Sequence, residues 1–135
     1  MERQTRQKQA VLQAIEASGR SLNAGEIQAL AAAQVPSLSL STVYRQLRSL
    51  QDDAQVVRVD LPGQVPRFEA LCRARHDPGQ GHEHHHHHFH CTRCDRVFPI
   101  HGCPGGMQAL APAGFRVERH DLTLHGLCAD CGAQA

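Results

Sequence analysis

Residues 39–70 read SLSTVYRQLRSLQDDAQVVRVDLPGQVPRFEA, and the order of their two halves decides the fold. In the first half Val43, Leu47 and Leu50 recur at helical spacing, while Ser41, Arg45 and Arg48 gather on another face. The second half, VVRVDLPGQVPRFEA, is broken by Pro62-Gly63 and reads as two strands joined by a turn. Two more helices are expected upstream. Residues 6–17 carry Val11, Leu12 and Ile15 on one face, with Gly19 as a stop. Asn23-Ala24-Gly25-Glu26 has the form of a capping box and opens a helix over 24–33, with Ile27, Leu30 and Ala31 inward, before Pro36. Three helices followed by a hairpin is the order of a winged helix-turn-helix.

A third helix exposing Arg45 and Arg48, with Thr42 and Tyr44 near its start, suits the major groove of DNA. Arginine pairs with guanine or phosphate, and Thr or Tyr meets a thymine methyl. An arginine-bearing face is also an ordinary solvated one. The hairpin that follows brings the DNA reading level with it.

Residues 71–83, LCRARHDPGQGHE, change the texture and read as a hinge. Beyond them, residues 84–95 read HHHHHFHCTRCD, and Cys91 and Cys94 are answered by Cys128 and Cys131. Two Cys-x-x-Cys pairs can close a tetrahedron around Zn²⁺; free or disulfide-paired thiols are the alternative. A set filled by four thiolates has no open position, so a zinc there is structural rather than catalytic. If the histidine run is extended, His84, His86, His88 and His90 share one face, and His85 and His87 the other. Two faces of imidazole point to two kinds of metal site; a solvated tract that binds metal loosely is the bland reading. Strands are expected over Arg96–Ile100, Gly114–Val117 and His120–Leu124, with a short helix around Met107–Ala111. Cys103 has no matching cysteine and reads as a free thiol. This is a small α+β unit with too few apolar residues to stand alone, which points to a buried dimer interface.

Composition narrows the partners. The 135 residues are 41% hydrophobic but only 4% aromatic, without Trp, so a chain split in two gains from a metal staple. Net charge is +1 with 11 histidines uncounted, so nucleic-acid binding must come from a local cluster. No run of about 18 apolar residues occurs, and MERQTRQKQ lacks an apolar signal core. A cytoplasmic protein is expected, with no membrane partner, and there paired cysteines favour metal over disulfide. Enzymes fit poorly. A thiol oxidoreductase needs Cys-x-x-Cys at a helix start in a βαβ frame, whereas this pair follows a run of histidines. His82-Glu83-His84 lacks the His-Glu-x-x-His spacing of a zinc hydrolase. A metal-storage protein would have no use for Arg45 and Arg48 on a winged helix.

Taken in order, SLSTVYRQLRSLQDDAQV, FEALC, HHHHHFHCTRCDRV and GFRVERHDLTLHGLCADC resemble the ferric uptake regulator family of metal-responsive bacterial repressors. The resemblance runs from about Thr5 to Cys131, and HGLCADC with the cysteine of FEALC is most like the zinc uptake branch. It implies an α+β fold with a winged-helix DNA-binding domain over 1–70, a hinge over 71–83 and a metal-binding α/β dimerisation domain over 84–135. It also implies a structural zinc on Cys91, Cys94, Cys128 and Cys131, and a sensory metal on Glu69, His86 and His88. A histidine that the iron branch adds before the second helix falls at Ser21; the zinc branch instead brings in a cysteine, matching Cys72. Cys72 alone could equally be a small buried apolar residue. Asp60 and His76 are reserve ligands. A third site would match His85, His87 and His120, but its helical Glu has no counterpart in 101–113. Base reading falls on Tyr44 and Arg45, with Arg6 and Lys8 near the phosphates. The implied function is a homodimeric repressor, not an enzyme, that binds palindromic double-stranded operator DNA when Zn²⁺ fills the sensory site. An iron or manganese sensor, using Fe²⁺ or Mn²⁺, is the alternative within the family.

Overall fold

The computed structural model describes residues 2–71 and 86–133. The chain falls into two units, residues 1–79 and 80–135.

In the first unit α1 (Glu2–Ser18) buries Ala10, Val11 and Ile15, and it starts four residues before the apolar pattern does. Asn23 then caps α2 (Ala24–Ala31). Its side chain accepts the Glu26 N–H at 2.8 Å, and its own N–H donates to Glu26 Oε1 at 3.1 Å, so the capping box forms as expected. The buried stripe of α2 is Ala24, Ile27 and Ala31; the helix stops at Ala31, and Leu30, expected inward, is 44% exposed. Ser39 caps α3 (Leu40–Asp52), which presses Val43, Leu47 and Leu50 into the core. Burying each such side chain contributes about 1.5–3 kcal/mol.

Three short strands close this core: β1 (Leu22–Asn23), β2 (Val56–Val59) and β3 (Arg67–Ala70). They form an antiparallel sheet in the order β1-β3-β2, with Leu22 opposite Phe68 and Val57 opposite Glu69. The turn expected at Pro62-Gly63 is made, with Gly63 at φ 74°, where an L side chain would be strained. Three helices and a β-hairpin make this unit a winged helix.

The second unit is built on β4 (His87–Cys91), flanked by antiparallel β5 (Val97–Ile100) and parallel β6 (Thr123–Gly126). A single 3₁₀ turn, Met107–Leu110, stands where the short helix was expected, and α4 (Ala129–Gly132) follows β6. Two strand expectations fail. Residues 114–117 form no strand and Phe115 is 65% exposed; among the described residues no strand pairs with that segment. The last strand begins only at Thr123, where pairing with His88 starts, and not at His120. Gly126 belongs here for a steric reason. A Cβ on it would come 3.2 Å from Cζ of Phe89, so its absence lets β6 lie close against β4 and deliver Cys128.

The apolar core of this unit is thin. Among its described residues the buried hydrophobic side chains are Cys91, Val97 and Cys128, so two of the three are thiols. No described helix is long and apolar enough to cross a membrane.

Candidate functional site

Cys91 ends β4 and Cys94 lies in the turn after it, while Cys128 caps α4 and Cys131 lies within it. The four sulfurs lie within 4.8 Å of one another. Cys94 Sγ and Cys128 Sγ stand 3.8 Å apart, far beyond a disulfide bond, and the cysteines among the described residues are all free thiols. Four sulfurs at about 2.3 Å from one Zn²⁺ would be separated by about 3.8 Å along each edge of the tetrahedron. The geometry is that of a metal site.

Backbone donors hold the sulfurs in place. The N–H groups of Cys94 (3.5 Å) and Cys128 (3.4 Å) donate to Cys91 Sγ, and the Cys131 N–H donates to Cys128 Sγ at 3.5 Å. These N–H groups, Cys94's first, bring the Cys91 thiol down from 9.0 to about 6. Burial pushes Cys131 up to about 12, and the thiols of Cys128, Cys91 and Cys94 add to it. For Cys94 the Arg96 N–H pulls downward, but burial and the thiols of Cys91 and Cys128 outweigh it, and its pKa is raised. Four thiolates repel one another at this range; a cation among them removes the conflict.

The histidines in and beside β4 pair with histidines on either side of it, on alternating faces. His86 Nε2 lies 3.2 Å from His101 Nδ1, with the rings edge to face, and His90 Nδ1 lies 3.2 Å from His125 Nδ1. The other ring nitrogen of His90 meets Asp95 Oδ1 at 2.6 Å. On the opposite face His87, 1% exposed, meets His120 Nε2 at 3.2 Å. Cys103 Sγ lies 3.2 Å from that same His120 nitrogen. Cys103, expected to be a free thiol without a partner, therefore sits in a cluster of ligating atoms, and His101 beside His86 was not anticipated at all. Neither has a spacing motif; both are met only because β4 is the central strand. His85, with Cys72 and His76, falls outside the described residues.

In the first unit Glu69 is buried, and Ser21 Oγ donates to its Oε2 at 2.5 Å. Asp60, held in reserve as a ligand, accepts from Arg58 Nε at 3.0 and 3.2 Å. On α3, Tyr44, Arg45 and Arg48 are exposed, as is Arg6 on α1. Thr42 and Lys8 depart from expectation. Thr42 is only 9% exposed, and its hydroxyl accepts from Ser39 Oγ at 2.9 Å and from Arg45 Nη2 at 3.1 Å. It sits beside Val43 and one turn before Gln46, on the flank of the buried stripe, so it braces Arg45 and does not face outward. Lys8 Nζ is ion-paired with Asp53 at 2.5 Å, so part of its charge is spent within the protein.

The sequence model of the ferric uptake regulator family matches residues 2–125. The chain belongs to the ferric uptake regulator family. The ferric uptake regulation protein of Staphylococcus aureus is 29% identical over 110 residues, which span 82% of this chain and 74% of that one. A solved zinc-bound manganese uptake regulator shares the fold with a TM-score of 0.68 at 24% identity, over 90% of this chain and 87% of that chain. A zinc uptake regulator solved with zinc and DNA is 25% identical, with a TM-score of 0.57, over 95% of this chain and 82% of that chain. As a family member the regulator is a metal-responsive, DNA-binding transcription factor and not an enzyme.

Proposed function

We propose that this regulator is a homodimeric, zinc-responsive repressor of palindromic operators. The observation that carries zinc over iron is the contact between Ser21 and Glu69. Where the iron-sensing pattern asks for an imidazole beside this carboxylate, the chain has a hydroxyl already bonded to it. The regulatory ligands are then Glu69, Cys72, His86 and His88, and the thiolate among them favours Zn²⁺ over harder ions. Likeness to the zinc uptake regulator solved with zinc and DNA supports the same reading. The four cysteines hold a second, structural Zn²⁺. Pairing with another copy is supported by the apolar side chains the second unit exposes, Leu110, Phe115, Leu124 and Leu127.

The proposed mechanism is linkage. Glu69 and Cys72 precede most of the hinge at 71–83, while His86 and His88 follow it, so one ion taking ligands from both sides restricts the orientations open to the winged helices. A dimer whose recognition helices are held about one DNA turn apart reads both half-sites. Without the ion, DNA binding bears the ordering cost. Operator and metal then raise each other's affinity reciprocally, by about 1–3 kcal/mol for an ordinary coupling of this kind.

The test is fluorescence anisotropy on an AT-rich palindromic duplex, with the structural site kept loaded and Zn²⁺, Fe²⁺ and Mn²⁺ buffered separately without oxygen. Tight binding at the lowest free Zn²⁺, lost in Cys72→Ser and His88→Ala, is expected. A response to Fe²⁺ or Mn²⁺ that ignores Cys72→Ser would overturn the zinc assignment.

A further inference from the structure

We infer that Cys103 supplies a thiolate to the third metal site that the family resemblance implies on His87 and His120, in the place of the carboxylate missing from 101–113, giving a mixed sulfur–nitrogen set suited to a borderline-soft divalent cation such as Zn²⁺. Three facts support this. The ligating atoms of the three side chains lie within 4.8 Å of one another. His120 Nε2 stands 3.2 Å from both Cys103 Sγ and His87 Nε2. In a tetrahedral zinc site two imidazole nitrogens would be about 3.3 Å apart, and a nitrogen and a sulfur about 3.5 Å, so both pairs made by His120 lie within a few tenths of an ångström of that geometry.

Hydrogen bonding among the three does not account for the convergence as well. A ring nitrogen carries one proton or one lone pair along its axis, so His120 Nε2 can serve one of these neighbours well and the other poorly. A cation at the centre serves all three. His87 is buried and fixed on β4, which gives the site one rigid wall. Cys103 is exposed and follows β5, just before Gly105 and Gly106 turn the chain, both at φ 70°. Among the described residues the site is therefore open to solvent on the Cys103 side.

The thiolate changes what the site selects. Imidazole with carboxylate would take Mn²⁺ or Fe²⁺ readily, whereas one sulfur tilts the set toward Zn²⁺ and makes occupancy sensitive to thiol oxidation. The assignment does not depend on which metal regulates DNA binding.

The experiment uses full-length protein with zinc in the four-cysteine site and Cys72→Ser as background, so that the regulatory site offers no sulfur. Co²⁺ is added and the sulfur-to-cobalt charge-transfer absorption is recorded. That band should appear and vanish on adding Cys103→Ser, with the structural zinc content unchanged. Its persistence in Cys103→Ser, or bound Co²⁺ without the band, would overturn the assignment. Alkylation of Cys103 by iodoacetamide, mapped by mass spectrometry, gives a second readout. At free Zn²⁺ about ten times the Kd only a tenth of the sites are open, so alkylation should slow about tenfold. His120→Ala should abolish that protection; an alkylation rate indifferent to Zn²⁺ in the parent protein would sink the proposal.

Discussion

Ser21 Oγ donates to Glu69 Oε2 across 2.5 Å, and both side chains are buried, at 1% and 4% exposure. The bond ties Ser21, just before β1, to β3, at the position where the family resemblance implies a histidine in the iron branch. A hydrogen bond to a buried carboxylate is worth more than one between neutral groups. Ser21→Ala should therefore lower unfolding stability by about 1–3 kcal/mol, with the denaturant slope unchanged. Urea titration of the metal-regulated protein checks this, and a midpoint within error of the parent would show the bond to be idle. Ser21→His should also move metal preference toward Fe²⁺ or Mn²⁺ in the anisotropy assay.

The four-cysteine site should decide whether the second unit folds. Its described hydrophobic core is Val97 and two of the thiols, whereas the first unit buries Val11, Ile15, Leu22, Ile27, Val43, Leu47 and Leu50. Structural zinc contributes about 10–16 kcal/mol of apparent binding free energy in small zinc-dependent peptides, and zinc held by these four sulfurs would supply folding free energy in the same way. Chelation or Cys128→Ser should then abolish amide protection in β4, β5 and β6 while α1 and α3 keep theirs. Hydrogen exchange read by mass spectrometry separates the two units directly. Uniform protection after verified zinc loss would mean that the unit stands without its staple.

Metal uptake should depend on pH in a way set by Cys91 and Cys131. The fold lowers Cys91 from 9.0 to about 6, so the stability this thiolate adds to the metal-free protein is complete above 9.0 and is lost as pH falls through 6. Cys131 is raised to about 12, and its protonated form adds stability that is complete below 9.0 and is lost as pH climbs toward 12. Near neutral pH an incoming metal therefore displaces a proton from Cys131 and almost none from Cys91. Fewer than four protons should leave per metal, as calorimetry in buffers of different ionisation enthalpy would show. Below about 6 Cys91 also carries a proton, and the slope of log affinity against pH should steepen by about one. An unbroken slope through that range would refute the Cys91 assignment.

Local chemistry made much of this architecture legible. The Asn23–Glu26 box, the stripe Val43-Leu47-Leu50 and the turn at Gly63 each follow from neighbours within a few residues. The paired cysteines were legible for the same reason, since a Cys-x-x-Cys carries its geometry with it. What escaped depends on contacts distant in sequence. Thr42 is buried because α3 is turned so that it lies on the flank of the core, and Lys8 meets an aspartate 45 residues away. Phe115 and its neighbours have the composition of a strand but pair with no strand among the described residues. Cys103 looked solitary because its partners, His87 and His120, are brought to it by β4 and by the return of the chain toward β6.

The brace between Thr42 and Arg45 separates two kinds of DNA contact. Arg45 is exposed on α3 but its Nη2 is steadied by the Thr42 hydroxyl at 3.1 Å, which reduces the rotamers the guanidinium must give up on binding a base. Arg45→Ala should cost about 1–3 kcal/mol on the operator and little on random duplex, as a base-edge contact would. Thr42→Val keeps the volume but removes the brace, so it should weaken operator binding in the same direction and by less. Arg6, exposed on α1, should behave as a phosphate ligand. Arg6→Ala should weaken both duplexes alike and make the salt dependence of log affinity shallower by about 0.9 for each phosphate no longer neutralised. Lys8 is already paired with Asp53, so Lys8→Ala should shift that slope less than Arg6→Ala does. Anisotropy titrations at several salt concentrations test all four variants together. If Arg45→Ala instead lowered the salt slope and spared specificity, α3 would be gripping the backbone and the sequence reading would lie elsewhere.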